Sequence, residues 1–127
     1  MTSDPFNYFY TLNAYDCRVG VADDLELQSK FLKQVVDKIG MHCMLPPKMG
    51  VEVEKAEVLT RRSSINSEYC GESNIQLISI ESKRFINIDV SSCNPFDKKT
   101  ILDYAQECFG FEKAEDHYFV RDTEIFQ

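Results

Sequence analysis

The chain has 127 residues, 43% of them hydrophobic, and a formal net charge of -7, which suffices for one domain with a proper core and is too little for two. Its acidic balance argues against unaided binding to nucleic acid or to an anionic membrane, since phosphate contacts need clustered Lys and Arg; the basic pairs Arg61-Arg62 and Lys83-Arg84 read as turns or solvated strand ends. The N-terminus lacks a basic region followed by an apolar run, no apolar stretch is long enough to span a bilayer, and five widely spaced cysteines without a Cys-x-x-Cys pair read as free thiols in a reducing, cytoplasmic compartment.

Phe6 to Tyr15 alternates with Tyr8, Tyr10, Leu12 and Ala14 on one side, the period of a strand with one buried face. From Asp23 the pattern changes. Leu27, Phe31, Val35 and Ile39 recur every four residues, Leu32 and Val36 widen the stripe, and Gly40 supplies a stop; Asp23 or Asp24 caps this first helix. After Pro46-Pro47 and Gly50, the stretch Val51 to Thr60 reads as one edge strand, and Arg61 to Ser67 as a polar loop. Ile75, Leu77 and Ser79 face one way and Ile78 and Ile80 the other; Glu81 to Arg84 turn the chain, and Phe85, Ile86, Ile88 and Val90 return it, a β-hairpin. Asn94-Pro95 signals the start of a second helix, with Asn as cap and Pro at the first helical position. Ile101, Leu102, Ala105, Cys108 and Phe109 form its apolar face and Gly110 ends it; His117 to Arg121 is the last strand. The predicted class is α+β, a two-layer sandwich with both helices on one face of a mainly antiparallel sheet, in a single domain over residues 1–127.

The run from Glu72-Ser73-Asn74-Ile75 through Asn87-Ile88-Asp89-Val90 to Ser91-Ser92-Cys93 resembles, without a gap, the signature hairpin of the bacterial and archaeal S-adenosylmethionine decarboxylases. That pattern begins Glu-Ser-His, turns at His-Thr-Trp-Pro-Glu and ends Asp-x-Phe-Thr-Cys; Glu72, Ser73, Ile75, Asp89 and Cys93 match it. Tyr15-Asp16-Cys17 followed by Asp24-Leu25-Glu26-Leu27 is similar to the family's first strand and helix start, and Asn94-Pro95-Phe96 to its Asp-Pro-Trp.

The resemblance implies self-cleavage between Glu72 and Ser73, leaving a pyruvoyl group on Ser73 as the cofactor. Such a carbonyl forms a Schiff base with an amine substrate and accepts the electrons released as carbon dioxide leaves. Cys93 is then the expected proton donor and Glu81, one position from the family's turn acid at Ser82, the expected substrate contact. Several family positions are changed. Its processing histidine falls at Ile78, its adenine-stacking tryptophan at Ile80, and its upstream serine near Ile65, with Ser64 and Ser67 close by. His42 and His117, the two histidines present, fall elsewhere and read as surface or partly buried structural residues.

Two functions follow from the resemblance. One is a divergent decarboxylase of S-adenosylmethionine, or of a related cationic amino acid, serving spermidine and other polyamine synthesis. The other is an unprocessed, inactive homologue that forms a homodimer or pairs with an active homologue, because members of this size build their sites across a two-fold interface. An unrelated α+β binding domain is the remaining reading.

Overall fold

The computed structural model describes residues 5–41, 47–55, 58–66 and 74–122, with the backbone alone of 51–55 and 58–66. Strand β1 (Pro5–Tyr15) leads through a 3-10 turn at Val21–Asp23 into α1 (Leu25–Lys38). Four strands follow, β2 (Lys48–Lys55), β3 (Val58–Asn66), β4 (Asn74–Ile80) and β5 (Phe85–Ser92), then α2 (Lys98–Phe109) and β6 (Lys113–Asp122). The six strands form one sheet in the order β2-β3-β4-β5-β1-β6, and every neighbouring pair is antiparallel. This is the expected α+β architecture, with a sheet that is wholly antiparallel.

Side-chain alternation sorts the sheet into two faces. Tyr10, Leu12 and Ala14 of β1, Ile75 and Leu77 of β4, and Ile86, Ile88 and Val90 of β5 are buried on the helix side. They meet Phe31, Leu32, Val35 and Val36 of α1 and Ile101, Ala105 and Phe109 of α2 in one core. Phe31 lies at its centre, stacked on Tyr104 at 5.4 Å and tilted against Phe109 at 5.0 Å between ring centroids. Removing so enclosed a ring costs about 3–5 kcal/mol.

Asp24 caps α1, its carboxylate accepting from the Leu27 N–H at 3.0 Å. The second helix starts later than the Asn94-Pro95 signal suggests. Asp97 is its cap, accepting from the Lys99 N–H at 3.0 Å, so a carboxylate three residues on takes the role expected of Asn94. Asn94 instead closes a turn on Ser92, whose hydroxyl accepts its N–H at 3.0 Å. Phe96 is thereby held edge-on against Tyr118 at 5.4 Å.

The region read as one edge strand and a polar loop is a hairpin of two strands. β3 runs from Val58 to Asn66 and takes in both Arg61-Arg62 and most of the expected loop. Its polar composition disguises it, but backbone pairing to β2 on one side and to β4 on the other holds it in the sheet. The last strand is longer than its apolar centre, Lys113 to Asp122.

The join between β1, the β4–β5 turn and α2 is built from unusual backbone. Asp16 and Arg84 both have positive φ, 54° and 47°, and the Cys17 N–H donates to the Arg84 carbonyl at 2.9 Å. At the end of α2, Gly110 has φ 57° and donates to the Gln106 carbonyl at 2.9 Å, while Arg18 donates to the Cys108 carbonyl at 2.7 Å. A Cβ on Gly110 would sit 3.0 Å from the Arg18 guanidinium. Gly110→Ala is therefore expected to destabilise the fold by about 1 kcal/mol, from left-handed strain and displacement of Arg18. Urea denaturation checks this; an unchanged midpoint would show that the helix end carries no such constraint.

Candidate functional site

Glu72 and Ser73 lie outside the described residues. Asn74, which follows Ser73 in the chain, opens β4 opposite Ser91 of β5, and Cys93 comes two residues after Ser91. Hairpin pairing thus brings the start of β4 and the end of β5 to one end of the sheet. Glu81 belongs to the other end: it is exposed in the turn that joins the two strands. Six residue steps of β4 separate Asn74 from Ile80, about 20 Å at 3.3 Å per residue, so one chain does not place Glu81 beside Cys93.

Cys93 is disulfide-bonded, with its partner outside the described residues, and the free-thiol reading is corrected there. The sulfur of a disulfide has no S–H proton, so Cys93 in this state cannot be the acid that the resemblance expects. Asn94 places its side-chain amide 3.5 Å from the Cys93 sulfur. Cys17 and Cys108 are free and buried. Burial pushes the Cys17 thiol up to about 11 and raises Cys108 as well, so both stay protonated and inert at neutral pH.

Ile78 and Ile80 lie on the face opposite the helices, half-buried, in line with Asn87 and Phe85 of β5. Nothing at either position can transfer a proton. Around them the outer face carries a connected polar network in cross-strand rows. Thr11 pairs with Asp89 on one side and with His117 on the other, and its hydroxyl donates to the Asp89 carboxylate at 2.5 Å. Asn13 pairs with Asn87 and with Glu115. The Asn87 amide donates to Asn13 at 2.9 Å, Asp89 at 3.1 Å, Thr11 at 3.2 Å and the Leu12 carbonyl at 3.3 Å. Glu115 accepts from Tyr15 at 2.5 Å, a bond that holds its carboxyl below the usual range.

One row towards the Cys93 end, Asn7 donates to the Ser91 hydroxyl at 3.0 Å and accepts from Arg121. The Arg121 guanidinium also lies 5.5 Å from the Phe9 ring, which neighbours Phe119 at 6.2 Å. His117 stands beside Phe119 with ring centroids 6.1 Å apart; it is exposed on β6, as a surface residue, while His42 lies outside the described residues. The arrangement offers paired hydrogen-bonding groups and aromatic surface, suited to recognition. Among the described residues no group of His, Cys, Asp and Glu could hold a metal ion, and no helix is long and apolar enough to cross a membrane.

Asp89 was legible as a family match; its partners Thr11, Asn13 and Asn87 were not singled out. The signal for them was present, because Asn7, Thr11 and Asn13 alternate with the apolar residues of β1 as Asn87, Asp89 and Ser91 do with those of β5. Asn87→Ala is expected to lower stability by about 1–2 kcal/mol, since it leaves half-buried acceptors unpaired, while Gln76→Ala on the same face changes little; denaturant titration of both variants decides. Of the five cysteines, a disulfide at Cys93 removes two from reaction. Alkylation of the denatured chain should therefore label three before reduction and five after, and five at once would remove the disulfide.

No family model matches the sequence, and no curated protein matches it. The structure is similar to the crystal structure of the adenosylmethionine decarboxylase from Aquifex aeolicus, with a TM-score of 0.69 over 93% of this chain and 92% of that one, at 11% sequence identity. At that identity the likeness establishes a shared fold.

Proposed function

We propose that this chain is a binding member of the adenosylmethionine decarboxylase fold, one that stays unprocessed and acts by pairing with a second chain of the same fold, either its own copy or an active homologue. The observation that carries this reading is the disulfide at Cys93, which removes the expected acid proton. Ile78 in place of the processing histidine agrees with it. So does the outer face, where polar groups already bonded to one another surround half-buried isoleucines. Such a face loses little hydrogen bonding when covered and gains from the burial of its apolar residues. On this reading Asp89 and Asn87 shape a contact surface.

A second reading keeps the chemistry: decarboxylation of S-adenosylmethionine or a related cationic amine for polyamine synthesis, in the cytoplasm, with a pyruvoyl group derived from Ser73. It is favoured by the pairing of Asn74 with Ser91 together with the Ser73 to Cys93 spacing. It requires Cys93 in its thiol form, with Glu81 contacting substrate bound to a different chain. When bound, the pyruvoyl carbonyl supplies an electron sink.

Intact mass of the denatured and reduced protein separates the two. Reduction matters, because a disulfide could hold cleaved pieces together. One unbroken chain of 127 residues after long incubation is the expected result. Fragments of residues 1–72 and 73–127, the latter with a pyruvoyl cap, would overturn the unprocessed reading and establish the decarboxylase one.

A further inference from the structure

Cys93 is the first residue beyond β5, which ends at Ser92. It is half-buried, so its disulfide lies near the surface and not in the core. The Asn94 side-chain amide, 3.5 Å away, donates to its sulfur. Asn94 is itself held in place, because its backbone N–H donates to the Ser92 hydroxyl at 3.0 Å and Ser92 is fully buried. The other described cysteines are unlike it. Cys17 and Cys108 are buried in the core, and burial raises both thiols, so neither supplies a thiolate that could attack the bond from within. Because those two are free, the partner of Cys93 is Cys43 or Cys70, both outside the described residues.

We infer that the disulfide at Cys93 is a thiol-exchange site: a dithiol reductant opens it in the folded protein and a low-molecular-weight disulfide closes it. Exchange begins when a thiolate of the reductant attacks the sulfur of the partner cysteine. The S–S bond breaks, and Cys93 departs with the electron pair and takes a proton from solvent. The second thiol of the reductant then displaces the partner cysteine and closes as the reductant's own disulfide. Two electrons and two protons pass to the protein, which ends with two thiols. The rate of such a step depends on how well the departing sulfur carries negative charge, and an N–H held against that sulfur stabilises the charge. Asn94 is placed for this role, and its anchor on Ser92 is the same whether the bond is open or closed. The closed state has no S–H at the hairpin end, and the open state restores one there. The inference rests on the disulfide that carries the reading above, and it adds that the disulfide is reversible.

Dithiothreitol at neutral pH, added to the folded full-length protein without denaturant, tests it. The bond is expected to open with the circular dichroism unchanged. Iodoacetamide should then label Cys93 and one of Cys43 and Cys70 in peptide maps while Cys17 and Cys108 stay unlabelled, and oxidised glutathione, once the dithiol is removed, should close the bond again. Asn94→Asp keeps the shape of the side chain but loses the donor and sets like charge against the departing sulfur, so it should slow opening by about threefold or more. Asn94→Ala removes the donor without adding charge and should slow it in the same direction. A bond that opens only in denaturant is structural and defeats the inference. So does opening at the wild-type rate in both variants, labelling of Cys93 before any reductant is added, or failure of oxidised glutathione to close the bond. Intact mass of the same reduced sample keeps the two readings apart. Cleavage before Ser73 once the thiol is restored would end the unprocessed reading and leave the exchange site standing, whereas an unbroken chain whose bond resists dithiothreitol would do the reverse.

Discussion

The register between β1 and β5 is the constraint on which the rest of the molecule depends. It runs from Tyr8 opposite Ser92 to Ala14 opposite Ile86 and places Tyr10, Leu12, Ala14, Ile86, Ile88 and Val90 on the helix side together. Because the side-chain period is two, a slip of one residue would send this whole set to the other face. The same register makes the outer network, since it is what puts Asp89 beside Thr11 and Asn87 beside Asn13. β1 also pairs with β6, so one strand transmits the register across the sheet to its exposed edge. Tyr10 ties the two partners of β1 together: its ring fills the core, and its hydroxyl donates to Asp116 of β6 at 2.7 Å. Burial, and then the Asp116 bond, raise its pKa strongly, so this anchor keeps its proton across any ordinary pH.

Where apolar periodicity was strong, the elements could be read directly. The stripe from Leu27 to Ile39 specifies α1, and the opposed sides of Ile75 to Ile80 specify β4, because both patterns reflect burial on one face. β3 was missed for the complementary reason. Arg61 to Asn66 has little apolar alternation, and its place in the sheet comes from pairing with two neighbours, which no local pattern records. The start of α2 was misplaced because two sequence signals for a cap compete within four residues. Asn94-Pro95 is the more conspicuous, but Asp97 adjoins the helical stripe.

The candidate site was legible only as far as the resemblance reached. The family spacing predicts Ser73 and Cys93 at the open end of the hairpin, where Asn74 pairs with Ser91, while Ser73 itself lies outside the described residues. Glu81 is next in sequence to the position of the family acid, but a hairpin separates its turn from its open end by the full length of a strand. The state of Cys93 was illegible for a different reason. An odd number of cysteines without close spacing gives no pairing, and only three-dimensional proximity decides which of them meet.

An acid catalyst needs a proton it can release near neutral pH and a setting that lets it do so. At the hairpin end the sulfur is oxidised. At Ile78 the side chain is apolar and half-buried. The remaining described thiols, Cys17 and Cys108, lie in the core with their protons held by burial. Asp89 on the outer face is engaged by Thr11 and Asn87. On the outer face the polar groups Thr11, Asn13, Asn87 and Asp89 satisfy one another within the chain. Polar groups that satisfy one another within the chain lower the cost of covering that surface with another protein, which is the property the proposed contact surface needs.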